Sequence, residues 1–174
     1  MELVDIYDSN RSIIRIGDRS EVRTMDEYLL VVHSWLIDDT GHILLQKRAS
    51  CKKFDPNKWG VTGGFARTGE SSAEACIRET MEEVGICLTH SQMQRIITFT
   101  LGNLHYDIWI SRIKSVNKPL VLQSSEVSDT AWISLCDFDK ISFEDGMGEL
   151  LGEKIITQRY FYQSLLKQVI AEIV

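Results

Sequence analysis

A chain of 174 residues, 44% hydrophobic and 25% charged, has a globular composition and the length of one domain rather than two. Its 25 acidic against 19 basic residues leave a net charge of −6, which argues against a nucleic acid polymer as partner. The N-terminus MELVDIYDSN lacks the basic segment and apolar run of a signal peptide, and no stretch of about 18 apolar residues suggests a membrane span.

A single domain over residues 1–174 is therefore expected, in the cytoplasm and away from membranes. Cys51, Cys76, Cys87 and Cys136 form no C-x-x-C pair, so reduced thiols fit better than a zinc knuckle or a redox dithiol. ELVDIYD alternates apolar and polar residues, and Asp8-Ser9-Asn10 supplies turn chemistry before SIIRIGD, so a hairpin is predicted to open the chain. YLLVVHSWLID, the turn DDTGH and HILLQKR predict a second hairpin central to a sheet, with Lys47 and Arg48 beyond its apolar run. ASCKKFDPNK reads as a polar loop, and WGVTGG as a strand that leaves the sheet at its glycine pair. QRIITFTL, HYDIWISRI, LVLQ and TAWISL read as further strands. IITQRYFYQSLLKQVIAEIV places Ile156, Tyr160, Phe161, Leu165, Val169, Ile170 and Ile173 at helical spacing, an amphipathic helix suited to covering a sheet. Strands, a glycine loop with a helix, more strands and a last helix predict a mixed α/β sandwich.

Between the glycine pair and Ile86 lies GGFARTGESSAEACIRETMEEVGI. Winding residues 72–84 at about 100° per residue puts Ala73, Ile77, Thr80, Met81 and Val84 on one side as a packing stripe. Glu79, Glu82 and Glu83 fall on the other, with Ala75 and Cys76 as small residues beneath them. Ser71 or Ser72 suits the N-cap and Gly85 the C-cap. Three acids near a helix C-terminus gain nothing from the helix dipole. A solvated surface with Arg78 threading Glu74 and Glu82 is the plain alternative, since exposed like-charge pairs cost only about 0.2–0.5 kcal/mol. Gly63 and Gly64, which permit close backbone approach or positive φ, and a second turn at Gly69-Glu70 point instead to a loop folded over the helix. Enclosed carboxylates 4 Å apart would repel by roughly 4 kcal/mol at an effective dielectric of 20. A bound divalent cation makes such a cluster tolerable, and oxygen ligands select Mg²⁺ or Mn²⁺.

Gly64, Glu70 and RETMEEVGI resemble the box of the Nudix hydrolases, G-x5-E-x7-R-E-U-x-E-E-x-G-U with U aliphatic, over residues 64–86. Gly64, Glu70, Arg78, Glu79, Glu82, Glu83 and Gly85 match its fixed positions, and Thr80 departs from it at an aliphatic one. The resemblance implies the α/β/α Nudix sandwich and cleavage of a diphosphate linkage in a nucleoside diphosphate derivative with Mg²⁺ or Mn²⁺. It implies that Gly64 offers backbone contacts at the metal site, Glu79, Glu82 and Glu83 hold the cations, Glu70 with Gly63 supports the loop, and Arg78 orients the glutamates. Glu79 is the candidate in the box to take a proton from the attacking water.

VLQSSEVSDTAWISL resembles the later family segment that supplies another acid, which makes Glu126 a candidate metal ligand or base, equally readable as a surface-loop acid ahead of the Trp132 strand. Lys47 and Arg48 are candidates for phosphate, against a merely solvated strand end. Phe65 follows the glycine pair and is the aromatic best placed for a ligand. His105, with Asp107 on the same sheet face, is a candidate for the substrate cleft, whereas His33 reads as a core histidine. The substrate expected is a small-molecule diphosphate, and a homodimer is compatible with the sequence.

LVDIYDSN, LLVVHSWLID and ILLQKRAS also resemble the Nudix subgroup related to isopentenyl-diphosphate isomerase, which makes an isomerase the second reading. Those isomerases carry a cysteine and a metal-binding histidine where this chain has WGVTGGFARTGE, and none of its cysteines lies there. A Nudix-fold binding module is the third reading, and such modules usually show an eroded box.

Overall fold

The structure is a computed structural model that describes residues 2–21, 24–114, 119–134 and 137–138. The amphipathic segment 156–173, Cys136 and Lys118 lie outside the described residues. Two compact units are present, one of Met1–Trp35, Gly63–Met81 and Cys87–Ser111, the other of Leu36–Thr62, Glu82–Ile86 and Arg112–Val174.

The first unit opens with the expected hairpin, β1 (Leu3–Tyr7) paired antiparallel with β2 (Ile13–Asp18). Asp8 closes its turn by accepting from the amides of Asn10 and Ser12, and Arg11 takes φ 65° there. β3 (Leu29–Asp38) pairs with β8 (Leu104–Ile113), which pairs antiparallel with β7 (Met93–Leu101). Alternation along β3 divides its side chains between two clusters: Leu30 and Val32 pack with Tyr7, Ala66, Ala75 and Cys76, while Leu29 packs with Val4 and Ile6.

In the second unit β4 (Ile43–Arg48) continues the second hairpin through Ile37 and Ile43 and pairs antiparallel with β5 (Trp59–Gly60) and β9 (Val127–Ile133). Its turn is built on Asp38, whose Oδ1 accepts from the amides of Thr40 and His42. With a strand on each side, the four residues from Ile43 to Gln46 are all buried.

β6 (Thr62–Phe65) pairs with β3, so the glycine pair lies inside a strand rather than ending one. A Cβ at Gly63 would stand 2.2 Å from the Val32 carbonyl oxygen, so the residue serves close strand approach, and positive φ is found at Gly69 and Gly85 instead. LVLQ, expected as a strand, is irregular. The Gln123 amide donates to the Glu83 carbonyl 3.1 Å away, supplying one of the donors a helix C-terminus lacks, so the segment caps a helix instead of joining a ladder. The result is a mixed α/β fold in which the helix α1 (Ser72–Val84) follows the glycine strand, and Asp137 and Phe138 are helical as well. No helix among the described residues is long and apolar enough to cross a membrane.

Candidate functional site

The helix α1 starts and stops where the sequence placed it. Ser71 is the N-cap: its hydroxyl accepts from the Glu74 amide, and its own amide donates to the Glu74 carboxylate at 2.8 Å, a reciprocal cap. Gly85 ends the helix at φ 72°.

The buried face of α1 differs from the expected one. Ala75, Cys76, Thr80, Glu83 and Val84 are buried, whereas Met81 is 53% exposed. The inward stripe is thus rotated toward the acids, with Glu83 only 4% exposed, Glu79 half-buried and Glu82 exposed. Ala75 and Cys76 are themselves core residues. Thr80, the departure from the aliphatic pattern, is fully buried and donates to the Cys76 carbonyl at 2.8 Å, so its hydroxyl is satisfied one turn back.

In the first unit Arg78 organises the site. Its Nε and Nη2 donate to the two Glu70 oxygens at 2.6 and 2.9 Å, its Nη1 donates to Glu79 Oε1 at 2.8 Å, and Nη2 also reaches the Phe65 carbonyl at 2.9 Å. Glu70 accepts from the Arg67 amide at 2.8 Å, which closes the turn at Gly69. Burial alone would raise the Glu70 carboxyl, but hydrogen bonds from Arg78 and the Arg67 amide outweigh it and hold the group below its ordinary value. The same two glutamates push the Arg78 guanidinium up. Gly64 completes this half: a Cβ there would lie 2.3 Å from Glu79 Oε1, so the glycine leaves the carboxylate its present position. Arg78 thus links the turn that carries Glu70 to the Glu79 carboxylate.

In the second unit Glu83 Oε2 accepts from Gln46 Nε2 at 2.8 Å, and the Thr62 hydroxyl donates to Gln46 Oε1 at 3.1 Å. Glu126 pairs with Lys52 at 2.5 Å, and its main chain accepts from the Ala49 amide and donates to the Gln123 carbonyl. Sequence reasoning missed Gln46, Thr62 and Lys52. The available signal for Gln46 was an uncharged polar residue inside the apolar run ILLQKR.

Several expectations need correction. Among the described residues no group of three potential metal-ligating side chains is already assembled. Glu79 accepts from Arg78, and Glu83 accepts from Gln46. His105 is a core residue. It is fully buried, its Nε2 donates to the Asp8 carbonyl, its Nδ1 accepts from Thr100, and Tyr28 stacks on its ring, so both nitrogens are engaged by protein. Asp107 is buried too, accepting from Arg11, Arg95 and Thr98. Burial would raise its carboxyl, but hydrogen bonds from Ser72, Thr98 and Arg11 outweigh that and lower it. The ring of Phe65 packs on the Val4–Ile6–Leu29 cluster with the Arg19 guanidinium 5.2 Å from its centroid, so Phe65 serves the site through its carbonyl. Arg48 Nε donates to the Phe54 carbonyl at 3.0 Å and holds the 49–58 loop, while Lys47 sits in register with Asp129 and Trp59.

The donor set suits a hard divalent cation in its chemistry. Glu79, Glu82 and Glu83 are oxygen donors at i, i+3 and i+4 of one helix, and the glycine at position 64 leaves room for the Glu79 carboxylate.

Comparison with known proteins bears on the whole chain. A family model for the NUDIX domain matches residues 27–152. An uncharacterized Nudix hydrolase of Listeria innocua is 31% identical over 136 residues, covering 77% of this chain and 80% of its own. A protein of Paenarthrobacter aurescens named isopentenyl-diphosphate Delta-isomerase is 30% identical over 143 residues, 76% of each. The crystal structure of DR0079 from Deinococcus radiodurans has the same fold, with a TM-score of 0.72 at 18% identity over 96% of this chain and 98% of that one.

Proposed function

The chain belongs to the Nudix family, and from that premise we propose that it is a divalent-cation-dependent pyrophosphohydrolase acting on a nucleoside diphosphate derivative or a related organic diphosphate. The observation that carries this reading is the fit of Gly64 against Glu79, with Glu79 fixed by an arginine that Glu70 holds in turn. A solvated acidic helix has no use for a strand glycine that clears a carboxylate.

Glu79, Glu82 and Glu83 would hold the cation, Mg²⁺ or Mn²⁺, with the Gly64 main chain and Glu126 as further oxygen donors. The cation supplies polarisation of the phosphoryl oxygens. Glu79 takes the proton of the water that attacks phosphorus, as the bond from phosphorus to the leaving oxygen breaks. Arg78 limits the rotamers of Glu79 so that this carboxylate meets the water in one orientation. Lys47 lies at the β4 end as the group to meet phosphate.

The isomerase-named relative gives the second reading its weight. Against it stands the chemistry of the thiols. Cys76 is buried, and burial pushes its thiol up to about 12, which unsuits it to proton transfer. Cys51 and Cys87 are exposed and lie outside residues 59–70, where the isomerases place their cysteine.

A panel of nucleoside diphosphate sugars, dinucleotides, nucleoside triphosphates and isoprenoid diphosphates, each with Mg²⁺ or Mn²⁺, tests the proposal. Cleavage of at least one diphosphate is expected, and isopentenyl diphosphate is expected to return unisomerised. Dimethylallyl diphosphate above a no-enzyme control, with no diphosphate cleaved, would replace hydrolysis by isomerisation.

A further inference from the structure

Gln46, Thr62 and Glu83 are each under 5% exposed and form a chain of two hydrogen bonds within the second unit. An ionised carboxylate can only accept, so Glu83 requires the NH₂ end of the Gln46 amide to face it. That leaves the Gln46 oxygen toward Thr62, whose hydroxyl must then donate. The order of donors runs one way, from Thr62 to Gln46 to Glu83, and it makes Glu83 Oε2 the terminal acceptor.

Both supporting residues are anchored. Gln46 lies in register with Gly60 of β5 and Thr130 of β9, and its side chain has little room to move at 2% exposure. The main chain of Glu83 is held as well, its carbonyl accepting from Gln123. Neither Gln46 nor Thr62 carries a charge. A lysine or arginine in place of Gln46 would hold the same oxygen but compete with a cation for it. A glutamate there would repel Glu83.

We propose that Gln46 and Thr62 are positioning residues that orient Glu83 toward a divalent cation without neutralising it. The proposal rests on the reading of Glu83 as a cation ligand. Residues that hold a metal-binding carboxylate from behind typically contribute 10–100-fold to metal affinity. Gln46 is expected in that range and Thr62 at the low end, because Thr62 acts only through Gln46.

The test is Mn²⁺ binding to the whole chain, followed by electron paramagnetic resonance of free Mn²⁺, for wild type, Gln46→Met, Thr62→Val, Thr62→Ser, Glu83→Gln and the Gln46→Met/Glu83→Gln double variant. Circular dichroism melts accompany each variant. Gln46→Met and Thr62→Val are near in volume to the native residues, and Thr62→Ser keeps the hydroxyl. Expected are roughly 10–100-fold weaker Mn²⁺ binding for Gln46→Met, a smaller loss for Thr62→Val, recovery with Thr62→Ser, and no further loss when Gln46→Met is added to Glu83→Gln. Unchanged Mn²⁺ affinity in folded Gln46→Met and Thr62→Val, with Glu83→Gln weakened, would overturn the positioning role alone. Unchanged affinity in Glu83→Gln would overturn the underlying reading of Glu83. If Gln46→Met fails to fold, Thr62→Val against Thr62→Ser decides: equal affinities in the two refute the relay.

Discussion

In the first unit Glu79 shares the guanidinium of Arg78 with Glu70, whereas in the second Glu83 takes its hydrogen bond from the amide of Gln46. The two acids are four residues apart on α1 and are held by different physics. An arginine holds Glu79 through charge and two-point geometry in a half-buried setting, and such contacts are worth about twice a neutral hydrogen bond. A neutral amide donates to Glu83 in a buried setting, where an oriented hydrogen bond counts for more than it does in water. Under the proposed mechanism the arginine aims Glu79, and the amide orients Glu83 toward a cation.

The comparison breaks first at Glu79. Glu79→Gln keeps the shape and removes the proton acceptor, so kcat should fall by about 10²–10⁴-fold and excess Mg²⁺ should not restore it. Glu126→Gln should cost less and respond in part to added Mg²⁺. Steady-state kinetics across Mg²⁺ concentrations checks both, and the reverse pattern would move the base to Glu126.

Glu83→Gln should act on affinity instead. Loss of a ligand should weaken Mg²⁺ binding by at least the roughly 10–100-fold typical of losing a supporting partner, with part of the rate regained at high Mg²⁺. Calorimetric titration reads that shift directly. A kcat loss that no Mg²⁺ concentration relieves would erase the contrast between the two acids.

Gly64→Ala sharpens the first half of the comparison. The added methyl meets the far end of the Glu79 side chain, which can swing away, so the melting temperature should change little. The displaced carboxylate should lower kcat/KM by about 10²-fold, the cost of a misplacement near 1 Å. A large drop in melting temperature with activity retained would make the glycine a packing residue only.

The smallest effect concerns pH and stability. Glu70 has a lowered carboxyl in the folded protein, so its contribution is fully present above its ordinary value of 4.5 and is lost as pH falls through the lower folded value. Glu70→Gln should therefore lose on the order of 1 kcal/mol or less at neutral pH and flatten the fall in melting temperature below about pH 5. Melts of both proteins from neutral to acid pH would show it. Parallel curves would remove Glu70 from the acid response.

Legibility in the sequence followed the rules that are local. The caps at Ser71 and Gly85, the hairpin turn at Asp38 and the strands β7 and β8 rest on turn chemistry and alternation, and the structure has them. The face of α1 is not legible because hydropathy puts Met81 inward and Glu83 outward, whereas Glu83 finds a buried hydrogen-bond partner, Gln46, on a distant strand. A polar residue in a strand such as His105 looks available for the cleft, and its partners Asp8 and Thr100 are invisible until the hairpins are placed. Gln46 was passed over for the charged Lys47 and Arg48 beside it. On a strand buried on both faces, alternation carries no information about which polar side chain faces a site.

The most direct test of the account follows ³¹P NMR of a cleaved diphosphate with exhaustively chelated protein, before and after Mg²⁺ is restored. The account predicts no phosphorus–oxygen cleavage in the chelated sample and recovery with Mg²⁺ in wild type but not in Glu79→Gln. Sustained cleavage by the chelated protein, or full recovery in Glu79→Gln, would contradict it.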